Sequence, residues 1–172
     1  IDEKTEELLP QGQIGMIEIR GPNVFQGYWN MPEKTAAELR KNGFFITGDL
    51  GLIDEQGYLH IIGRSKDLII SGGYNIYPKE IEQILDDVPS VLESAVIGVP
   101  HADFGETVLA VVVLKSGVAL QEGDLAAEVA HKLARFKHPK SYQITAELPR
   151  NTMGKVQKNL LRDKYKGFFS AQ

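Results

Sequence analysis

Residues 78–99 read PKEIEQILDDVPSVLESAVIGV, and this stretch decides the fold class. Its first half predicts a helix, because Pro78 suits a first helical turn and apolar residues follow at helical spacing. These apolar positions are Ile81, Ile84, Leu85 and Val88. The second half, residues 91–99, is rich in apolar residues and predicts a strand. A helix followed directly by a strand indicates a domain that mixes the two.

The rest of the chain has two different textures around this stretch. Downstream, strand and helix continue to alternate. Strands are predicted at 108–114 and 143–145, and helices at 123–136 and 159–165. Upstream, closely spaced glycines separate short apolar runs, which is typical of strands joined by tight turns. We therefore predict an α+β fold with a break near 64–67: residues 1–66 are mostly β, and residues 67–172 form a compact α+β domain.

The upstream part carries three local signals. Residues 12–21 alternate apolar and polar side chains between glycines, which predicts a half-buried strand. Pro32 begins a short helix that should end near Lys41, with Gly43 as its C-terminal glycine. Residues 54–57 predict a hairpin turn. Further strands are predicted at 58–63 and 68–70.

Composition excludes several classes of protein. With 172 residues, 42% of them hydrophobic, the chain can bury a real core. It has no cysteine, which excludes disulfide scaffolds, thiolate zinc sites and a cysteine nucleophile. Its net charge of −4 argues against a nucleic-acid partner, and its scattered histidines predict no metal site.

The ends and the apolar runs of the chain predict its cellular location. The longest apolar run, 108–114, is far too short to span a bilayer, and no signal peptide opens the chain. We therefore expect a cytoplasmic protein with no membrane partner. The first residue is Ile1, so we expect the chain to be a piece of a longer protein.

Three loops carry residues suited to ligand chemistry. In FITGDLG (45–51), Asp49 is flanked by glycines, and its carboxylate could accept hydrogen bonds from a vicinal diol such as a ribose. In GRSKD (63–67) followed by SGGYN (71–75), the paired glycines would let a ligand approach the backbone closely. In PRNTMGK (149–155), Lys155 follows a glycine in an exposed loop. This is not a phosphate-binding P-loop, because the earlier glycine and the Ser or Thr after the lysine are missing.

Each loop also has an ordinary structural explanation. Asp49 could simply cap a turn, and the glycine pair could be a hairpin turn with surface charges near it. Lys155 could be a solvated surface lysine. The basic cluster at 135–140 could be a solvated helix end, or it could receive a phosphate group. Taken singly, none of these features decides the function.

Taken in order, the loops resemble the C-terminal part of the acyl-adenylate-forming superfamily: acyl-CoA synthetases, peptide-synthetase adenylation domains and luciferases. Residues 45–49 resemble its Tyr/Phe-x-Thr-Gly-Asp motif, and residues 148–155 its final Pro-x-x-x-x-Gly-Lys motif. Residues 63–82 resemble Gly-Arg-x-x-Asp followed by Gly-Gly-x-x-Ile-x-Pro-x-Glu-Ile-Glu, which is the most specific match. Residues 27–35 fit Gly-Tyr-x-x-x-Pro-Glu-x-Thr. Within the superfamily, residues 148–156 most resemble malonyl-CoA synthetases.

The resemblance implies a role for each unit and for each site residue. Residues 1–66 would end a large N-terminal domain, within its barrel-like subdomain, and residues 67–172 would form a mobile lid. Lys155 would be the adenylation lysine. The resemblance further implies Asp49 and Arg64 at the ribose of ATP, Lys66 and Asp67 at the hinge, Gly72 and Gly73 at the tunnel for the pantetheine arm of CoA, and Phe136, His138 and Lys140 at the CoA nucleotide.

The implied activity is AMP-forming acid–CoA ligation, with malonate as the acid and a place in fatty acid metabolism. ATP, Mg²⁺ and CoA would take part, with Mg²⁺ and the acyl pocket held mainly upstream of this chain. In the first step a carboxylate attacks the α-phosphate of ATP and pyrophosphate is released, and the cation of Lys155 would stabilise the developing charge. In the second step CoA attacks the acyl-adenylate, after a domain rotation withdraws the lysine. We expect the chain alone not to catalyse adenylation.

Two other interpretations stay open. A peptide-synthetase adenylation domain would pass the acyl group to a carrier protein, and the absence of a carrier domain after residue 172 favours a free CoA ligase. Alternatively, the chain could act as a partner of other enzymes. In that case the exposed Lys155 would be the substrate of a lysine acetyltransferase and a deacetylase, because acetylation removes the charge that the first step needs.

Overall fold

A computed structural model describes residues 1–169, so residues 170–172 at the end of the predicted second domain lie outside it. The chain divides into two compact units, Ile1–Lys66 and Asp67–Gln172. Strands dominate the first unit, and the second combines a sheet with helices. The predicted α+β class is therefore confirmed.

The first unit is built on a three-stranded antiparallel sheet. Its strands are β1 (Gly15–Ile19), β2 (Phe45–Ile53) and β3 (Leu59–Arg64), in the order β1-β2-β3. One helix, α1 (Pro32–Glu38), lies between β1 and β2 in the chain. The sheet is open within residues 1–66, and their place in a barrel-like subdomain of a larger domain stays a prediction.

Helix α1 ends earlier than the sequence predicted. Its last residue is Glu38, and Leu39 already pairs with Phe45 in an isolated antiparallel bridge. Gly43 does not end the helix. With φ of +85°, it lies in a tight turn in which the Arg40 N–H donates to the Phe44 carbonyl oxygen over 2.8 Å. The chain must reverse here to enter β2, and that requirement shortens the helix.

The second unit is built on a five-stranded mixed sheet. Its order is β5-β4-β7-β6, and the last strand, β8, pairs with β7 in parallel while the other pairs are antiparallel. The strands are β4 (Ile69–Ser71), β5 (Tyr74–Ile76), β6 (Val91–His101), β7 (Gly105–Leu114) and β8 (Ser141–Thr145), and the helices are α2 (Pro78–Asp86), α3 (Glu122–Ala130) and α4 (Lys158–Tyr165). Among residues 1–169, no helix has the length and apolar character needed to cross a membrane.

The helix predicted over 123–136 is two separate elements. Helix α3 ends at Ala130, and a short 3₁₀ turn, Arg135–Lys137, follows it. Ala134 has extended backbone angles (φ −64°, ψ 144°), so the helical hydrogen bonding cannot continue through it. The apolar spacing alone did not reveal this break.

Alternation along β6 and β7 gives the second unit a core on each face of its sheet. On one face, β6 and β7 contribute Val91, Val96, Val108, Ala110 and Val112, which pack against α2 and α3. On the other face, they contribute Ala95, Ile97, Val99, Leu109, Val111 and Val113, which pack against Leu148, Val156 and Leu161. The segment that carries Lys155 is therefore anchored on the face opposite α2 and α3.

Carboxylates from two helices accept backbone donors of the outer strands β6 and β8. Glu82 of α2 accepts the Val96 N–H over 2.8 Å and pairs with Lys158 of α4, with 2.6 Å between Nζ and Oε1. On β8, Glu122 of α3 accepts the Tyr142 N–H over 2.9 Å. Backbone donors that the strand ladder leaves unpaired are thereby satisfied.

Candidate functional site

Asp49 lies within strand β2, where the sequence had suggested a loop after a strand. Met16 of β1 pairs with Leu50, and Glu18 pairs with Ile46. Three residues of β2 therefore oppose one residue of β1, which is a β-bulge. The bulge takes residues 47–49 out of the regular ladder, and this pairing with a distant strand could not be read from the local pattern.

A connected set of hydrogen bonds fixes the bulge. Gly48 has φ of +73°, a left-handed conformation that favours glycine. The Thr47 hydroxyl donates to the Ile17 carbonyl oxygen over 2.8 Å and accepts the Asp49 N–H over 3.0 Å. Arg64, the last residue of β3, donates from Nη1 to the Thr47 carbonyl oxygen over 3.0 Å.

The structure places Asp49 and Arg64, the two residues predicted to bind the ribose of ATP, side by side. Arg64 Nη1 lies 3.2 Å from Asp49 Oδ1, and both side chains remain partly exposed, with 49% and 33% of their surface accessible. The pair presents a carboxylate acceptor beside a guanidinium donor at one surface. That combination fits the two hydroxyls of a ribose, which can each donate and accept a hydrogen bond.

A short 3₁₀ turn, Ser65–Asp67, contains the two predicted hinge residues. The boundary between the compact units falls between Lys66 and Asp67. Asp67 Oδ1 accepts a hydrogen bond of 3.0 Å from Arg162 of α4, so Asp67 is fixed to the second unit. Lys66 is exposed, and its side chain makes no hydrogen bond or ion pair to residues 1–169.

The predicted glycine hairpin is confirmed. Gly72 and Gly73 join β4 to β5, with φ values of +55° and +83°. The Gly72 N–H donates to the Phe104 carbonyl oxygen over 3.0 Å. A Cβ atom at Gly72 would lie 3.3 Å from the Phe104 ring, so the hairpin approaches that ring closely.

Aromatic and basic side chains surround this hairpin. Tyr74 stacks on Phe136, with ring centroids 4.7 Å apart and 28° between the planes. Lys140 places Nζ 4.8 Å from the centroid of the Phe104 ring. We call this exposed region the hairpin surface; it consists of Gly72, Gly73, Tyr74, Phe104, Phe136 and Lys140.

The hairpin surface contains four of the five residues that the sequence predicted to bind CoA. His138 is not part of it, and Tyr74 and Phe104 belong to it although the sequence did not single them out. His138 bonds through its ring nitrogen to the Leu133 carbonyl oxygen over 2.9 Å, so this nitrogen serves the local fold. Tyr74 was missed although it follows the glycine pair directly. Phe104 had no local signal, because its place beside the hairpin depends on the pairing of Ser71 with Gly105.

Lys155 lies in a compact turn that we call the lysine loop (residues 150–156). An isolated antiparallel bridge between Arg150 and Val156 closes the turn. Val156 packs into the core beside α4, whereas Lys155 is exposed. Gly154 has φ of +77°, which a residue with a side chain would adopt only with strain. The predicted exposed loop is confirmed.

The lysine loop and the hairpin surface lie near opposite ends of strand β6. Arg150 of the lysine loop forms an ion pair with Glu93, near the start of β6. The hairpin lies beside Gly105, which pairs with His101 at the end of β6. His101 follows Glu93 by eight residues, which corresponds to about 26 Å at about 3.3 Å per residue. A lysine side chain cannot span that distance.

The described residues offer no ready site for a metal ion. No group of three or more His, Asp or Glu side chains in residues 1–169 is arranged to hold one. His60 does contact a carboxylate, with Nε2 2.6 Å from Asp54 Oδ2, a pair that the sequence did not reveal. This hydrogen bond is the main cause that lowers the pKa of Asp54 below its usual value, and the Tyr58 N–H contributes next.

Comparison with known proteins finds a family model that matches part of the second unit and relatives that match most of the chain. Residues 80–155 match the model of the AMP-binding enzyme C-terminal domain. A long-chain-fatty-acid–CoA ligase of Bacillus subtilis (strain 168) is 46% identical over 159 residues, covering 92% of this chain and 28% of the ligase. A sulfoacetate–CoA ligase of Cupriavidus necator is 42% identical over 149 residues, covering 87% of this chain and 29% of that ligase.

A solved structure matches over nearly the whole chain. ATP-bound MatB from Rhodopseudomonas palustris is 60% identical, with a TM-score of 0.90, and the match covers 98% of this chain and 33% of MatB. Apo MatB from the same organism, at 61% identity, has a TM-score of 0.73.

The second unit therefore has the fold of the C-terminal domain of adenylate-forming enzymes. The relatives of the chain are AMP-forming acyl-CoA ligases. The chain spans about a third or less of the length of these relatives.

Proposed function

We propose that this chain is the C-terminal part of an AMP-forming acid–CoA ligase whose acid is malonate. Its similarity to acyl-CoA ligases supports the reaction class. The 60% identity with MatB supports a malonyl-CoA synthetase-like enzyme, and the motif at 148–156 points to the same group. The sulfoacetate–CoA ligase, named for another small acid with two anionic groups, is consistent with this choice.

In the first step, this chain would hold ATP and supply positive charge. Asp49 and Arg64, which are already paired, would bind the ribose hydroxyls. The ammonium group of Lys155 would stabilise the charge that develops as the carboxylate attacks the α-phosphate and pyrophosphate leaves, a contribution of about 3 to 4 kcal/mol for a preorganised donor. Mg²⁺, when bound, would neutralise charge on the phosphates, and residues upstream of this chain would hold it.

The second step would use the opposite end of the second unit. The backbone of Gly72 and Gly73 would line the path of the pantetheine arm, and Phe136 and Lys140 would meet the CoA nucleotide. The observation that carries this proposal is the separation of the lysine loop from the hairpin surface, about 26 Å along β6. One orientation of a rigid unit cannot present both to the same acyl-adenylate.

A rotation between the two steps would remove this conflict. Lys66 is suited to be the pivot, because it lies at the unit boundary, whereas Asp67 is bonded to α4. The two MatB structures support such a motion. They overlap this chain with TM-scores of 0.90 and 0.73 at nearly the same identity, so that relative itself differs in conformation over the matched region.

The partners in this proposal are a small carboxylate, ATP and CoA. We also propose that the 172-residue chain alone does not release pyrophosphate from ATP and acid, since its relatives are about three times as long. No specific contact in residues 1–169 favours a carrier protein as acceptor. Acetylation and deacetylation of Lys155 stay predictions for the same reason.

The test is Lys155→Ala in the full-length protein, with the two half-reactions measured separately. Formation of malonyl-adenylate should fall about 10²- to 10³-fold, the usual effect of losing one preorganised donor. Thioester formation from supplied malonyl-adenylate and CoA should persist. Lys166→Ala removes an exposed lysine just after α4 and serves as the matched control. Equal activity of both variants in adenylation would refute the role of Lys155.

A second assay tests the acid. The full-length protein should have a higher kcat/KM for malonate than for sulfoacetate, acetate or a long-chain fatty acid. A higher value for any of the three competitors would leave the ligase class intact but would overturn malonate as the substrate.

A further inference from the structure

We infer that Asn151 is the positioning residue for Lys155, a role that rests on the proposed function of that lysine. The amide oxygen of Asn151, Oδ1, accepts the Met153 N–H over 3.0 Å and the Lys155 N–H over 2.9 Å. One side-chain atom therefore holds two backbone donors of the lysine loop. Such a bond from an Asn side chain to the backbone ahead of it fixes a turn without help from the core.

The backbone of Asn151 completes the arrangement. Its N–H donates to the Lys155 carbonyl oxygen over 3.0 Å, and its carbonyl oxygen accepts the Gly154 N–H over 2.9 Å. Both peptide groups of Lys155, the N–H and the C=O, therefore bond to Asn151. The Cα atom of the lysine is fixed by this single residue on both sides.

Arg150 ties the same turn to the sheet. Its Nη1 donates to the Gly154 carbonyl oxygen over 2.6 Å, and its guanidinium pairs with Glu93 of β6. Through Arg150, the position that Asn151 imposes on Lys155 is fixed relative to the rigid strand β6. The long side chain of Lys155 stays mobile, but its point of attachment does not.

Polar bonds are what hold the tip of this loop. Residues 151–155 are all exposed, and the core contact of the loop comes from Val156 at its end. Gly154 permits many backbone conformations once its neighbours are released. Without the Asn151 side chain, the Met153 and Lys155 N–H groups would turn to water, and the loop would sample positions in which the ammonium group misses the reacting oxygens.

The consequence for catalysis is specific to one step. A misplacement of about 1 Å can cost on the order of 10²-fold in rate. Asn151→Ala in the full-length protein should therefore lower kcat for malonyl-adenylate formation about 10- to 100-fold. The KM for ATP should change little, because Asp49 and Arg64 bind the nucleotide elsewhere. Thioester formation from supplied malonyl-adenylate should be unchanged.

Three further variants separate a positioning role from general damage to the loop. Asn151→Ser keeps a neutral acceptor oxygen that can bond to the same backbone, so it should restore much of the adenylation rate. Asn159→Ala removes an exposed asparagine on α4 and should leave both half-reactions unchanged. In a protein that already carries Lys155→Ala, adding Asn151→Ala should cost no further adenylation rate, because the residue acts through the lysine.

The outcomes distinguish this inference from the function on which it rests. If Lys155→Ala itself leaves adenylation intact, the proposed function and the role of Asn151 both fail. If Lys155→Ala abolishes adenylation while Asn151→Ala retains the full rate, only the positioning role fails. The positioning role also fails if Asn151→Ala slows both half-reactions equally. It fails as well if Asn151→Ala slows adenylation further in a protein that already carries Lys155→Ala.

Discussion

Lys158→Met tests whether the ion pair at the sheet edge is a buried interaction. Lys158 Nζ lies 2.6 Å from Glu82 Oε1, and the side chains retain only 18% and 9% of their exposure. Removing one partner of a buried pair typically costs about 3 to 5 kcal/mol, because the other charge is stranded. Glu82 would keep its bond from the Val96 N–H. We therefore expect the lower end of that range, a loss of about 3 kcal/mol in the free energy of unfolding.

The double variant Glu82→Gln with Lys158→Met sharpens this expectation. The glutamine keeps an acceptor for the Val96 N–H but carries no charge to strand, so most of the loss should be recovered. Urea unfolding of the full-length protein, followed by far-UV circular dichroism, measures the single and the double variant against Lys166→Met as an exposed control. A loss below about 1 kcal/mol for Lys158→Met would mean that the pair behaves as a surface pair. A double variant as unstable as the single one would refute the stranded-charge explanation.

Three further predictions concern single residues of the second unit. Burial, with a smaller effect of Glu122, raises the pKa of Tyr142 to about 12. The stabilising effect of the neutral tyrosine is therefore complete below about pH 10 and is lost as pH rises towards 12. Thermal unfolding across this range should show a smaller fall in stability with pH for Tyr142→Phe than for the unchanged protein. Gly72→Ala and Gly73→Ala should each lower the free energy of unfolding by about 1 to 2 kcal/mol, because both glycines have a left-handed backbone. The loss should be larger at Gly72, because its Cβ would meet an aromatic ring at 3.3 Å. Urea unfolding measures both losses, and the reverse order would mean that this contact relaxes. Tyr74→Ala should raise the KM for CoA without slowing adenylation, and a loss confined to adenylation would contradict the proposed CoA surface.

Local signals in the sequence predicted the elements that depend on local interactions. The helix from Pro78 and the strand from Val91 formed as expected, since one segment has helical spacing and the other is mostly apolar. The short strand β5 (Tyr74–Ile76) was not predicted, because three residues carry too little pattern to reveal a strand. The end of α3 was missed because no glycine or proline lies between Ala130, its last residue, and the extended backbone at Ala134.

The candidate site divides in the same way. The glycine hairpin and the exposed lysine were predicted, since glycine pairs and polar loops act through short stretches of backbone. The bulge at Asp49 was not, because it depends on how β2 pairs with a strand some thirty residues away. The hydrogen bonds of Asn151, on which its proposed role rests, were also hidden, since residue type alone does not show whether an asparagine bonds to its neighbours or faces water.

The internal contacts of the second unit argue for motion of the whole unit rather than of its loops. The lysine loop is fixed to the start of β6 through Arg150 and Glu93, and the hairpin is fixed near the other end through the Phe104 carbonyl. Neither element can cover about 26 Å without breaking these bonds. If both elements serve one acyl-adenylate, the second unit must therefore rotate as a whole, at the boundary near Lys66. A variant that loosens either element should impair one half-reaction, whereas stiffening the boundary should impair the passage between the two.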